Sequence, residues 1–120
     1  MATIKSYTSL EQSRKLAEIL PLESADMYYG YGKDKPEFLP IADVDIKYLS
    51  QPCWSLAALV SVLPDTITNN GGIAFELNIK KNIIEYSNPS LYLVYKSVKA
   101  DNSVDSCVAM IEELNKLNLL

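Results

Sequence analysis

Hydrophobic and polar positions alternate with a helical period near the start of the chain. Between residues 9 and 20 apolar side chains recur every three or four positions with charged ones between them, which predicts an amphipathic helix that Pro21 ends. Thr8 and Glu11 have the spacing of a capping box. Residues 54 to 63 are almost wholly apolar and lie between two prolines, so we predict a second helix that is buried on several sides.

The pattern changes to period two after the turn sequence Asn-Asn-Gly-Gly. Alternation over residues 73–80, followed by short β-rich runs at 83–87 and 91–97, predicts three strands joined by tight turns. Residues 101–103 then cap a last helix that carries one apolar stripe. The predicted fold class is α+β: two N-terminal helices, a three-stranded antiparallel meander, and a C-terminal amphipathic helix packed on one face of the sheet.

Residues 22 to 51 show no sustained period. Glycines and prolines interrupt this stretch, so we predict an irregular segment with at most a short strand around 41–48. Long irregular segments inside compact domains are often functional. We therefore expect one globular domain over residues 1–120, with binding centred on this segment.

Composition and charge narrow the function classes. The 120 residues carry a net charge of −4 and no basic cluster longer than Lys80-Lys81, which argues against nucleic-acid binding. The longest apolar run falls well short of the roughly 20 residues that a membrane span needs. The first residues lack the apolar stretch of a secretory signal, so we expect a cytoplasmic protein.

The chain contains no histidine, which removes the commonest general base and metal ligand. Cys53 and Cys107 each lie in a predicted helix, far apart, and we interpret both as reduced core residues. Asp43 and Asp45 would share one side of a strand, but further oxygen ligands for a cation do not follow them. We therefore expect no enzyme, no catalytic residue, no cofactor and no metal.

Aromatic residues supply the one candidate binding feature. Tyr28, Tyr29 and Tyr31 stand close together beside glycines, and tyrosine provides large, rigid contact surfaces. The alternative is that one or two of these rings pack over the edge of the core. Trp54 is interpreted as a core anchor, with the wall of a pocket as its alternative role.

Two segments carry a resemblance to a known group of proteins. Residues 20–27, Leu-Pro-Leu-Glu-Ser-Ala-Asp-Met, and residues 52–56, Pro-Cys-Trp-Ser-Leu, resemble a family of small uncharacterised proteins common in gut anaerobic bacteria and their phages or mobile elements. The likeness extends to Asp101 and Asn102, which precede the last helix. Members of the family often have a tryptophan near the end of this helix, where this chain has Glu113 and Leu114. The resemblance implies an intracellular protein accessory to a larger process and supplies no activity. Within the first segment we expect Ser24 or Asp26 to cap a short helical turn.

Two functions remain open. The first is a non-enzymatic module that binds an unidentified protein partner through the tyrosine-rich segment and an adjacent sheet edge, with a homodimer as one form of this association. The second is a small ligand-binding protein or enzyme with a pocket of carboxylates and tyrosines between residues 28–49 and the central helix. A deep polar cavity would favour the second function, and protruding tyrosines would favour the first.

Overall fold

The computed structural model describes residues 5–31, 38–41 and 49–120, and these residues form three α-helices and two antiparallel sheets. The helices are α1 (Leu10–Ile19), α2 (Leu56–Val62) and α3 (Ser103–Lys116). The first sheet has the order β2-β1-β3 and consists of β1 (Met27–Tyr31), β2 (Phe38–Ile41) and β3 (Leu49–Cys53). The second has the order β4-β5-β6-β7 and consists of β4 (Thr66–Thr68), β5 (Ala74–Lys80), β6 (Ile83–Asn88) and β7 (Leu93–Lys99). The predicted α+β class is confirmed, but the predicted succession of two N-terminal helices is wrong, because the three strands of the first sheet lie between α1 and α2.

The prediction of an irregular segment over 22–51 is wrong where the structure describes it. A short 3₁₀ helix is followed by the three strands of the first sheet, with Pro40 opposite Tyr29 and Pro52 opposite Tyr28. Both prolines lie on the outer strands, β2 and β3, where a missing backbone N–H need not interrupt the ladder. The strand expected around 41–48 falls mostly outside the described residues, since β2 ends at Ile41.

The second helix is shorter and less enclosed than its composition predicts. Ser55 caps it by accepting a hydrogen bond from the Ala58 N–H, so Cys53 belongs to β3 and not to a helix. Ala57 and Ser61 are exposed, which gives α2 a solvent face. The most enclosed helix is α3 instead, with seven buried residues, and it contacts α1, α2, β6 and β7. The prediction that this last helix packs on the sheet is confirmed.

The second sheet contains four strands, one more than the three-stranded meander predicted from the sequence. The three predicted strands correspond to β5, β6 and β7, and β4 pairs with β5 through Thr66 opposite Glu76. The turn between β4 and β5 follows the predicted chemistry: Gly72 has φ 82°, and the Asn69 side chain accepts hydrogen bonds from two backbone N–H groups. Thr66-Ile67-Thr68 is too short to stand out as a period, although its β-branched residues suit a strand.

The cap of α1 lies one residue beyond the predicted position. Ser9 accepts from the Gln12 N–H, and the Gln12 side chain closes the capping box by accepting from the Ser9 N–H. Thr8 is fully buried and has a different role. Its backbone N–H donates to the Trp54 carbonyl over 2.9 Å, and its hydroxyl accepts from the Trp54 N–H over 3.1 Å. The segment before α1 is thereby held against the end of β3.

Among the described residues, none of the helices combines the length and apolar character needed to cross a bilayer.

Replacing Thr8 by valine should destabilise the fold by about 1 to 3 kcal/mol, because the buried Trp54 N–H would lose its acceptor while the side-chain volume stays nearly constant. Thr68→Val, at an exposed strand position, should change the free energy of unfolding by no more than about 0.5 kcal/mol. Urea denaturation of the two variants measures both values. Equal stabilities would show that the buried hydroxyl contributes nothing.

Candidate functional site

The three predicted contact tyrosines lie on β1, the middle strand of the first sheet. Tyr29 is only 6% exposed, and its hydroxyl donates to the Thr8 carbonyl over 2.7 Å. Burial is the main reason that the pKa of Tyr29 is raised to about 12. Tyr28 is half-buried, and the side chain of Tyr31 falls outside the description. Tyr29 therefore has a structural role, and a partner contact at Tyr28 or Tyr31 stays a prediction.

Both cysteines are free and buried, as the sequence predicts. Burial raises the pKa of the Cys53 thiol, although hydrogen bonds with Thr8 and Ser13 act in the opposite direction. Burial raises the pKa of the Cys107 thiol to about 11. Thiols held in the protonated form are poor nucleophiles.

No cluster of three or more acidic or cysteine side chains within the described part of the chain could hold a metal ion. The pair Asp43 and Asp45 lies outside the described residues.

An open depression of 410 Å³ lies between the N-terminal segment, α1 and α3. Three of its polar side chains, Lys5, Gln12 and Asp105, are paired with one another. Lys5 Nζ donates to Asp105 over 2.9 Å and to Gln12 over 2.8 Å, and Gln12 donates in turn to Asp105 over 2.8 Å. Asn102 donates to the second oxygen of Asp105. This network connects the N-terminal segment, α1 and α3.

A groove of 300 Å³ crosses the face of the second sheet that points away from α3. Glu76 is the single ionisable residue in its lining, beside Thr66 and Ser87 on the neighbouring strands. Asn88, at one end, is engaged through its side chain with the Ala74 carbonyl and the Leu91 N–H. One carboxylate does not supply the acid–base pair that a hydrolytic site requires.

Next to this groove, four consecutive apolar residues are exposed at the connection between β6 and β7. Their exposed fractions are 52% for Leu91, 94% for Tyr92, 42% for Leu93 and 58% for Val94. Single exposed apolar side chains are common, but a contiguous set marks an interaction surface. We call residues 91–94 the apolar ridge.

Tyr92, in the apolar ridge, has a backbone conformation that is unfavourable for residues with a Cβ atom. A one-turn 3₁₀ helix (Pro89–Leu91) precedes it, and Tyr92 has the left-handed φ of 54° and ψ of 38°. A left-handed conformation costs a residue with a Cβ roughly 1 to 2 kcal/mol, whereas glycine adopts it readily. The ring is almost fully in solvent and forms no hydrogen bond with any described residue. Tyr92 therefore does not serve the stability of the fold.

The strand predicted over 91–97 begins two residues later in the structure, at Leu93. Tyr92 therefore sits on the turn, and Lys96 points toward α3, where its Nζ lies 3.5 Å from a Glu113 oxygen. The sequence pattern placed Tyr92 within that strand. A tyrosine beside leucines after Asn-Pro-Ser was the available signal, because turn residues there are usually small and polar.

The ridge continues into β7, which is an edge strand of the second sheet. Lys96 is opposite Tyr86 and Val94 is opposite Ser87, so Tyr95 is the additional residue of a β-bulge. The Tyr95 ring stacks on Phe75 with centroids 5.1 Å apart, which fixes the bulge to the core. The site thus consists of a protruding apolar turn and the open edge beside it.

Tyr92→Gly should leave the free energy of unfolding unchanged or raise it by up to about 1 kcal/mol, because glycine accepts the left-handed conformation and no packing is lost. Asn118→Gly is a matched control, since Asn118 has φ 57° and is also exposed. Urea denaturation measures both variants. A loss of more than about 1 kcal/mol in Tyr92→Gly alone would contradict a purely surface role.

The stabilising effect of Asp105 should depend on pH. Burial acts to raise the pKa of this carboxyl, but hydrogen bonds from Lys5, Gln12 and Asn102 outweigh it and hold the pKa below its ordinary value. The carboxylate therefore stabilises the fold above its unfolded pKa of about 3.9, and this contribution is lost as the pH falls through the lower folded pKa. The stability difference between wild type and Asp105→Asn should be constant near neutrality and shrink in acid. A difference independent of pH would contradict the assignment.

Comparisons of the chain with protein-family models, with curated proteins and with solved structures found no match. The resemblance noted for residues 20–27 and 52–56 therefore stays a prediction. The assignment of a function rests on the surface of the chain itself.

Proposed function

We propose that the chain is a non-enzymatic protein-interaction module of the cytoplasm, and that the apolar ridge and the adjoining edge of β7 are its contact surface. The observation that carries this function is Tyr92, a large aromatic residue that is 94% exposed in a left-handed backbone conformation. Exceptions to local preference of this kind concentrate at functional positions. Partner binding explains the presence of a large aromatic side chain at this position, whereas packing within the fold does not.

The composition of the ridge also supports a protein partner. Tyrosine is enriched at the energetic centres of protein interfaces, and the flanking leucines and valine supply the apolar surround that excludes water. The net charge of −4 disfavours nucleic acid as the ligand. Two free, buried cysteines agree with a reducing compartment.

The alternative, a ligand-binding protein or enzyme with a carboxylate and tyrosine pocket, has less support. Its expected location includes residues 32–37 and 42–48, which lie outside the described part of the chain. The two cavities described above contain no tyrosine; the first is lined by the carboxylates of Glu11, Asp105 and Glu112, of which Asp105 is engaged by Lys5, Gln12 and Asn102.

Site-specific photocrosslinking tests the proposed surface. Incorporation of p-benzoylphenylalanine at position 92 in the native host should give a discrete crosslinked protein on irradiation, because the side chain at this position would be buried in the interface. The same residue at position 118, which shares the left-handed backbone and the exposure, should give none of this product. Identical products from both positions, or none from position 92, would overturn the proposal.

A further inference from the structure

The backbone of β7 has hydrogen-bonding groups that point away from the sheet. The Ala100 N–H donates to the Asn82 carbonyl over 3.3 Å, and the register continues with Ile83 opposite Lys99. Because bonded and non-bonded pairs alternate in an antiparallel ladder, Ser97 and Lys99 direct their N–H and C=O groups outward. No described residue hydrogen-bonds with these groups. β7 thus presents a template for one more strand.

The charges along this edge are all of one sign. β7 contains Lys96 and Lys99 and no carboxylate. Lys96 is paired with Glu113, whereas Lys99 is exposed and forms no ion pair among the described residues. Lys80 and Lys99 flank Ile83 in one row on the outer face, so their Cβ atoms are about 10 Å apart, two strand spacings. Glu85 lies on the same face, opposite Ser97, but forms no ion pair with Lys99, so the edge strand retains one unpaired positive charge.

These charges discriminate between two occupants. A second copy of β7 would bring two further lysines and no carboxylate to the edge, so it offers Lys99 no partner of opposite charge. An extended segment with acidic residues would instead place a carboxylate beside Lys99 while an apolar side chain meets Val94. The bulge at Tyr95 further disturbs regular self-pairing.

We propose that the partner contributes an acidic, extended segment that pairs with β7 as a fifth strand of the second sheet. This inference rests on the proposed function and adds the chemistry of the partner. Main-chain hydrogen bonds to Ser97 and Lys99 supply affinity, the ridge supplies apolar contact, and the lysines select acidic over basic segments.

The probe is a fluorescein-labelled peptide, as long as β7, with glutamates in the half that pairs near Lys99 and valines in the half that pairs near Val94; a second peptide has lysine at the glutamate positions. Fluorescence anisotropy should show the acidic peptide binding at least about tenfold more tightly than the basic one. This preference should shrink between about 0.1 M and about 1 M salt, where the Debye length falls from about 10 to about 3 Å. Equal binding of the two peptides, or no binding of the acidic one, would overturn the inference.

Two variants separate the backbone from the charge. Ser97→Pro removes an outward N–H and should abolish binding of the acidic peptide, since proline is tolerated on edge strands. Lys99→Glu should reverse the preference between the peptides. Arg14→Glu, an equal charge change on α1, should leave this preference intact. These two variants test the inference even if Ser97→Pro does not fold.

Sedimentation equilibrium tests the competing occupant. A dimer of the wild type that Ser97→Pro abolishes would assign the edge to a second copy and overturn the inference. If neither peptide binds but position 92 still gives its specific crosslink, only the inference of strand pairing is wrong and the proposed function remains.

Discussion

The hydrogen-bonding of Trp54 is the constraint on which the architecture depends. Its side chain is fully buried in the core that α1, α2, α3 and the second sheet share. Its backbone N–H and C=O are both taken by Thr8, and its indole N–H donates to the Ser24 hydroxyl over 2.9 Å. A buried tryptophan needs a partner for each of these polar groups. Satisfying them requires the N-terminal segment, the 3₁₀ turn and the end of β3 to meet at one point, and that meeting joins the first sheet to the helices.

The same junction brings together the two segments, 20–27 and 52–56, for which a family resemblance was predicted. Ser24 and Asp26 of the first segment contact Trp54 and Ser55 of the second: both Asp26 carboxylate oxygens accept hydrogen bonds from Ser55, through its N–H and its hydroxyl. Ser55 in turn caps α2. The expectation that Ser24 or Asp26 would cap a short helical turn was wrong, because no side chain caps the 3₁₀ helix Leu22–Ser24; Asp26 instead binds Ser55, the cap of α2. A sequence pattern in these segments can reflect this contact without any shared reaction.

Local periodicity predicted the elements whose signals are contained within one segment: α1, α3 and the strands β5 to β7. It failed for the first sheet because Pro40 indicated an interruption and Pro52 the start of a helix, and only the strand order places both on edges where proline is harmless. The sequence-based prediction of α2 was also longer and more buried than the helix is, since apolar composition does not show which neighbours cover a helix. The ridge could not be identified for a related reason: the left-handed backbone of Tyr92 is a property of the completed turn.

The tyrosines of the chain show why residue type alone did not locate the surface. Tyr29 and Tyr86 are both buried, and each hydroxyl donates over 2.7 Å to a distant backbone carbonyl, that of Thr8 or Pro64. Burial raises the pKa of both phenols, so they remain protonated donors that tie connecting segments to the core. Tyr92 has neither burial nor such a partner among the described residues. The three tyrosines of β1 indicated a contact surface by residue type alone. A contact residue differs from a structural one in its exposure and in its lack of partners within the fold, and both properties depend on the completed structure. Tyr92, which contributes no packing to the fold, and the adjoining edge strand, which has no carboxylate beside Lys99, together form the surface assigned to the proposed partner.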